Sequence, residues 1–364
     1  LKGLAVIFLS LEINKPNLMR LFAVLFLQWI FFSIAIGQKH EILCKPDSSA
    51  ARVRILDNGR PFTTFIYGAQ LEKPILFPLL APDGATLTRG FPLEPRKGEP
   101  ADHPHHIGLW MNYENVNGID FWNNSSAVPA GRKQLYGRIV TIGSIYVENG
   151  PQARLIYHSK WLKFNNKSLI NEKTEYIFQA TDKMRIIDRV TTLTAVQDIL
   201  FKDAKDGFLG IRVAHELELT SREKRQYVDD KGNLTTVEAD SAVTGNYLTS
   251  EKKEGESAWG TRADWCLLYG KIGGDTVSLA ILDHPDNPGY PCYWHARGYG
   301  LFAANPLGQK IFSNNKEELN LTLRKGESVT FRYRILIASG RYRLSEDEIK
   351  DQKLKFEKEY RQIK

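Results

Sequence analysis

Four strand-length runs follow one another between residues 137 and 196, and no other stretch constrains the fold as much. RIVTIGSIYVENG, ARLIYHSKWLKFNNKS, EKTEYIFQAT and KMRIIDRVTTLTAV are each rich in Val, Ile, Tyr, Phe or Thr, side chains that suit a pleated surface. Glu148-Asn149-Gly150, Asn165-Asn166-Lys167 and Asp182-Lys183 separate them. Strands closed by short turns predict an antiparallel meander. Residues 51–67 add a hairpin around Asn58-Gly59, a pair that supplies the positive φ angles of a tight turn at low cost. Residues 210–220, 263–270 and 276–282 read as further strands, and 319–339 as a hairpin around Lys325-Gly326-Glu327. Residues 221–256 read as a polar excursion, and the Pro/Gly-rich stretch from Pro74 to Pro100 as loops and short strands. Only the end changes period. Ser345 and Glu348 form an S-x-x-E capping box ahead of Ile349, Leu354 and Phe356, with Lys358, Arg361 and Lys364 at the far end. The expected fold is all-β and mainly antiparallel, a large β-sandwich with one C-terminal helix, because paired sheets bury many alternating strands without covering helices.

Of the 364 residues, 42% are hydrophobic and 25% charged, an ordinary globular composition with enough material for one large core. Residues 51–364 read as a single domain after a linker at 38–50. Met19-Arg20, the apolar run 21–36 and the small residues at 35–37 read as a signal peptide over 19–37, cut before Gln38, with 1–18 as a mis-called start. That predicts an exported protein, periplasmic or extracellular. The run is too short for a stable membrane span. The net charge of +7 comes from scattered Lys and Arg with no basic stripe, so no nucleic-acid partner is expected. Cys44, Cys266 and Cys292 allow at most one disulfide and lack zinc-site spacing.

The chemistry concentrates in two segments. Residues 89–122 carry three of the eight histidines within four positions, at His103, His105 and His106, beside Asp102 and Pro104. Pro104 favours a loop or strand edge over a central strand. Residues 283–308 repeat the ingredients with His284, Tyr293, Trp294, His295, Arg297, Tyr299 and Asn305. His103, His105, His106 and His295, with Asp102, are the candidate acid–base groups, since histidine titrates near working pH and neighbouring imidazoles are costly to bury unless used or paired. Arg89, Asp120, Arg297 and Asn305 are candidate polar contacts to a saccharide or other small molecule. Trp110, Trp122, Tyr293, Trp294 and Tyr299 are candidate stacking faces. The competing roles are core packing for the aromatics, and loop-fixing ion pairs for Arg89 and Arg297 with Asp102, Asp120 or Asp283. A divalent metal held by His103 and His105 with His284 or His295 is the alternative cofactor. No G-x-S-x-G elbow, P-loop or dinucleotide fingerprint is present.

DHPHHIGLW, NGIDFW, WGTRADW and HPDNPGYPCYWHARGYGLFAANPLG, in that order, resemble the exported bacterial PmoA-like family, whose members are often labelled methane oxygenase. The resemblance runs over residues 53–339; Ile107 stands where DHPHHRGLW-type members carry arginine. A methane oxygenase subunit of the particulate kind crosses the membrane several times, and nothing after residue 37 offers a span. The resemblance implies an exported β-rich protein of polysaccharide-degrading bacteria, similar to the galactose-mutarotase-like supersandwich. Three functions follow as expectations: saccharide processing by mutarotase-, lyase- or hydrolase-like chemistry, a His-ligated metal-dependent oxygenase or hydrolase, and carbohydrate binding without turnover.

Overall fold

The computed structural model describes residues 40–361 except 221–224, 230, 232, 238–241 and 341–342. The expected signal peptide lies outside the described residues. The chain first lays down β1 (Ile42–Asp47), β2 (Arg52–Asp57), β3 (Arg60–Ile66), β4 (Ile75–Leu76) and β5 (Leu109–Tyr113). The predicted meander follows as β6 (Arg138–Glu148), β7 (Gln152–Leu162), β8 (Ser168–Ala180) and β9 (Met184–Ala195). Then come β10 (Ile199–Phe201), β11 (Gly207–Arg212), β12 (Arg225–Val228), β13 (Leu234–Val237), β14 (Asn246–Thr249), β15 (Trp265–Ile272) and β16 (Asp275–Asp283). β17 (Tyr293–Ala296), β18 (Leu301–Asn305), the single turn α1 (Gln309–Phe312), β19 (Leu321–Leu323), β20 (Ser328–Gly340) and α2 (Glu346–Tyr360) complete it.

Two eight-stranded sheets result. The first runs β1-β2-β3-β4-β5-β11-β18-β17 and the second β14-β15-β16-β20-β9-β8-β7-β6. Every pairing between these strands is antiparallel. Period-2 alternation sorts each strand's side chains between two faces. Val53 and Ile55 of β2, Leu109 and Met111 of β5, Leu209 and Ile211 of β11 and Phe302 of β18 meet Leu155, Phe178, Ile281 and Ile335 of the second sheet in the main core. The alternate positions, Trp110 of β5 and Leu301 and Ala303 of β18, join Trp122 and Ile107 in a separate cluster on the other face of the first sheet. That outer face carries the candidate site.

Two expectations about elements change. The linker at 38–50 holds a strand: Ile42 and Cys44 are buried and β1 pairs along β2 from Ile42↔Asp57 to Asp47↔Arg52. Its sequence is half polar because it forms the sheet edge. Residues 319–339 do not form a hairpin, since β20 is central and both its edges are taken by β16 and β9, which sends β19 to β10. The hairpin at 51–67 is present, with positive φ at Asn58 (47°) and Gly59 (79°). All three cysteines are buried and free. Among the described residues no helix is long and apolar enough to cross a membrane.

The C-terminal helix starts at its predicted box: Ser345 N donates to Glu348 Oε2 at 2.9 Å and Glu348 N to Ser345 Oγ at 3.2 Å. α2 then lays Ile349 and Phe356 on Trp265, Leu267, Ala280 and Leu336 of the second sheet's outer face. Arg334, doubly bonded to Asp188 at 2.7 Å, also donates to Gln352 O at 3.2 Å, and so ties helix to sheet. Replacing the fully buried Phe356 by alanine is expected to cost about 3–5 kcal/mol through the cavity left. Urea unfolding measures the loss, and limited proteolysis should cut α2 first.

Candidate functional site

The three histidines sit on one tight turn. His106 N donates to His103 O at 2.9 Å, closing it around Pro104-His105, where proline pre-sets the backbone. His103 takes φ +43°, a left-handed conformation that non-glycine residues seldom adopt and that persists only when its surroundings enforce it. Arg89 supplies the enforcement. Its Nη1 donates to Pro100 O (3.1 Å), Asp102 O (2.8 Å) and Asp102 Oδ1 (2.6 Å). Its Nη2 donates to His103 O (3.0 Å) and His106 O (3.2 Å). The chain leaves the turn through Gly108 at φ +60°, where a Cβ would collide with Leu76 O.

A second guanidinium reaches the same carboxylate from β11. Arg212 Nη2 donates to Asp102 Oδ1 at 2.7 Å and lies 3.6 Å from Glu218 Oε1. Both arginines are fully buried. The other Asp102 oxygen, Oδ2, lies 2.9 Å from His103 Nδ1, and the His103 side chain is 40% exposed. An aspartate fixed by two buried cations therefore orients a histidine whose remaining nitrogen is not committed to it.

The rings stack in order. Tyr299 and His103 lie 5.0 Å apart and 2° from parallel, His103 and His106 4.9 Å and 3°, His106 and Trp110 5.4 Å and 22°. His105 meets His106 edge-on at 4.2 Å. Trp110 and Trp122 form the floor, and Gly210 of β11 leaves room for them: a Cβ there would come within 2.8 Å of both indoles.

The charge states differ across the turn. Burial would raise the Asp102 carboxyl, but the His103 hydrogen bond and the Arg212 and Arg89 guanidiniums outweigh it and hold it well below the usual carboxylate range. Burial and then Lys73, His103, Arg212 and Arg89 drive His105 far down. Burial, helped by His105, Arg212 and His103, lowers His106. His295 on β17 falls to about 3, chiefly by burial and then by Lys205 and Arg297. Its Nδ1 lies 3.8 Å from Asp206 Oδ1 and has no hydrogen-bond partner. These three imidazoles are neutral at physiological pH.

Of the residues expected from sequence, the structure gathers Arg89, Asp102, His103, His105, His106 and Tyr299, with His295 near enough for His103 to act on its charge. Arg297 also belongs here, its guanidinium 5.6 Å from the Tyr299 ring and 5.7 Å from that of Trp259. Others are corrected. Trp110, Trp122 and Trp294 are fully buried and expose no stacking face, the first two beneath the turn and the third in the inter-sheet core. Trp259 is 36% exposed, with Arg297 over its ring and Phe312 edge-on to it at 5.6 Å. Asp120 caps Asn123, through N and Nδ2 at 2.9 Å each. Asn305 is buried and latches a loop through Ala204 O, Lys205 O and Leu307 N. Tyr293 is buried and donates to Glu317 at 3.1 Å. His284 packs on Phe356 beneath α2, because Asp283 ends a strand of the second sheet. The metal set built on it is therefore not assembled, and among the described residues no three His, Cys, Asp or Glu side chains could hold a metal ion. Glu218, Lys73 and Asp206 are site residues that the sequence reading missed, and Arg212 is one that it held as structural, paired with His215 or Glu216. Arg212 carried a signal, a charge ending an otherwise apolar strand; Lys73 carried none.

No curated protein matches the sequence. Among solved structures the chain is similar to a GH36 α-galactosidase of Geobacillus stearothermophilus, at 10% identity and TM-score 0.39 over 82% of this chain and 41% of that one. It is similar to an α-galactosidase of Lactobacillus brevis at 8% identity and TM-score 0.37, over 85% and 40%. A candidate aldose 1-epimerase of Escherichia coli K12 matches at 8% identity and TM-score 0.33, over 83% and 99%. This chain thus spans less than half of either α-galactosidase, and likenesses so distant say nothing about activity. The model of a family of unknown function, DUF6807, matches residues 52–352.

The lowered histidines set a pH dependence of stability. Groups whose folded pKa is depressed bind protons in the unfolded chain first, so stability is lost as pH falls below the ordinary histidine value of about 6.5. For His295 this loss continues down to its folded value of about 3. Urea midpoints are expected to fall between pH 7.5 and pH 5, and to fall less in His295→Asn.

Proposed function

The chain belongs to the DUF6807 family, and from that premise and the geometry of the histidine turn we propose that it binds a saccharide there and moves a proton on it through His103. One observation carries the reading: the half-exposed His103 ring beside Asp102, whose carboxylate two buried arginines hold in place. Asp102 favours the tautomer with the proton on Nδ1, which leaves Nε2 to accept a proton from a substrate hydroxyl or carbon and to return it. Mutarotation, elimination and hydrolysis of a sugar all need such a transfer. Tyr299 stays protonated, its hydroxyl pushed by burial up to about 12, and can donate to a sugar oxygen. His105 is neutral and half-buried, offering one N–H and one lone pair to hydroxyls. His106 is buried and acts by supporting the His103 ring from behind. Trp259 supplies the apolar face that a pyranose stacks on.

We further propose export, read from residues 19–37, and PmoA-like kinship, so the substrate would be met outside the cytoplasm. A non-catalytic carbohydrate-binding protein is the second reading, favoured by the neutral state of His105 and His295, which suits hydrogen bonding without proton transfer.

The test is His103→Ala with a saccharide panel followed by NMR and mass spectrometry. Turnover is expected to fall by about 10²–10⁴-fold, the usual share of a general acid–base group, with binding changed less than about threefold. Saccharide binding with no product in the wild type would favour the second reading, and unchanged turnover in the variant would remove His103 from the mechanism.

A further inference from the structure

We propose that the pocket on the flank of the histidine turn takes the carboxylate of an acidic sugar, with Lys73 as its counter-ion. This rests on the saccharide reading above and names the substrate class. The pocket has a volume of about 180 Å³ and is lined by Leu71, Glu72, Lys73, Pro104, Ile107 and Ser125 among others. Pro104 is the first inner residue of the turn, so pocket and turn share a wall.

Lys73 is only 3% exposed. Its Nζ donates to His105 O at 2.6 Å and lies 5.1 Å from the Trp110 ring centroid. It makes no ion pair with a described residue. The nearest acids are otherwise engaged, Glu72 by Lys133 at 3.1 Å and Asp120 by Asn123. An ammonium has three donors, and one backbone carbonyl uses one of them. A buried cation without a counter-ion is costly, and burial accordingly presses the Lys73 amine down to about 7 against the pull of Glu72 and Asp120. A ligand carboxylate would relieve that cost with charge-assisted hydrogen bonds.

The charges around the turn point the same way. Arg89 and Arg212 are matched by Asp102 and Glu218. Lys73 is a buried cation that has no such partner among the described residues. Lys73, Arg212 and Arg89 are cations that all act on the neighbouring His105. A neutral sugar gains nothing from this field, whereas a uronate does.

Calorimetric titration with methyl glycosides of glucuronate and galacturonate, and with their methyl esters, separates charge from sugar. The free acids are expected to bind about tenfold tighter than the esters, the usual worth of a hydrogen bond to a charged group. In Lys73→Met, checked for folding by circular dichroism, that preference should shrink to within about twofold. In the wild type, the Lys73 Cε NMR resonance should move with the acid and stay still with the ester, so the test stands even if the variant does not fold. Equal affinity for acid and ester, or an unmoved Lys73 resonance, overturns the inference while leaving the saccharide reading intact. Binding of a simple carboxylate such as benzoate at Lys73, with no sugar bound, keeps the anion pocket and defeats the sugar. No binding of any of these overturns both.

Discussion

The Asp102 carboxylate, shared by Arg89 and Arg212, is the interaction on which the rest of the site depends. It joins three segments distant in sequence: the loop after Thr88, the histidine turn, and β11. Two fully buried guanidiniums are unstable company unless an anion sits between them, and losing one partner of such a buried pair costs about 3–5 kcal/mol. Asp102 answers that need with one oxygen and turns the other to His103. The left-handed backbone of His103 stores strain on the order of 1–3 kcal/mol, and the Arg89 bonds to the carbonyls of Pro100, Asp102, His103 and His106 hold it there. Charge pairing, backbone strain and ring orientation are thus one arrangement.

The first sheet gives that arrangement a rigid base. Alternation along β5 and β11 sends Leu109, Met111, Leu209 and Ile211 inward to the main core, and leaves Trp110 and Arg212 on the outer face. The inward set packs the first sheet against the second and the outward set builds the site, so a one-residue slip of register would destroy both. Gly210, between two such positions, admits the paired indoles that support His106.

Much of this was legible in the sequence where a local period carries it. The meander from β6 to β9 and the capped α2 each announce themselves within a dozen residues, because a buried face or a helix end imposes its own pattern. The histidine turn was legible for a similar reason, as three imidazoles, an acid and a proline within five positions. What failed was non-local. β1 looked like linker because an edge strand needs few apolar side chains once its partner is fixed. Trp110 and Trp122 looked like stacking faces because nothing local says that the turn will fold down over them. His284 and His295 stand eleven positions apart in one motif, yet the sheets place one beneath α2 and the other beside the turn. Arg212 and Lys73 become site residues only when β11 and the approach to β4 are brought up to the turn.

The most direct measurement is a long-range ¹H–¹⁵N NMR correlation of the imidazole nitrogens at neutral pH, with and without a bound saccharide. His103 is expected to carry its proton on Nδ1, toward Asp102, and its Nε2 resonance to move when the sugar binds. A His103 protonated only on Nε2, or one whose nitrogens ignore the sugar, would contradict the proton transfer proposed through it.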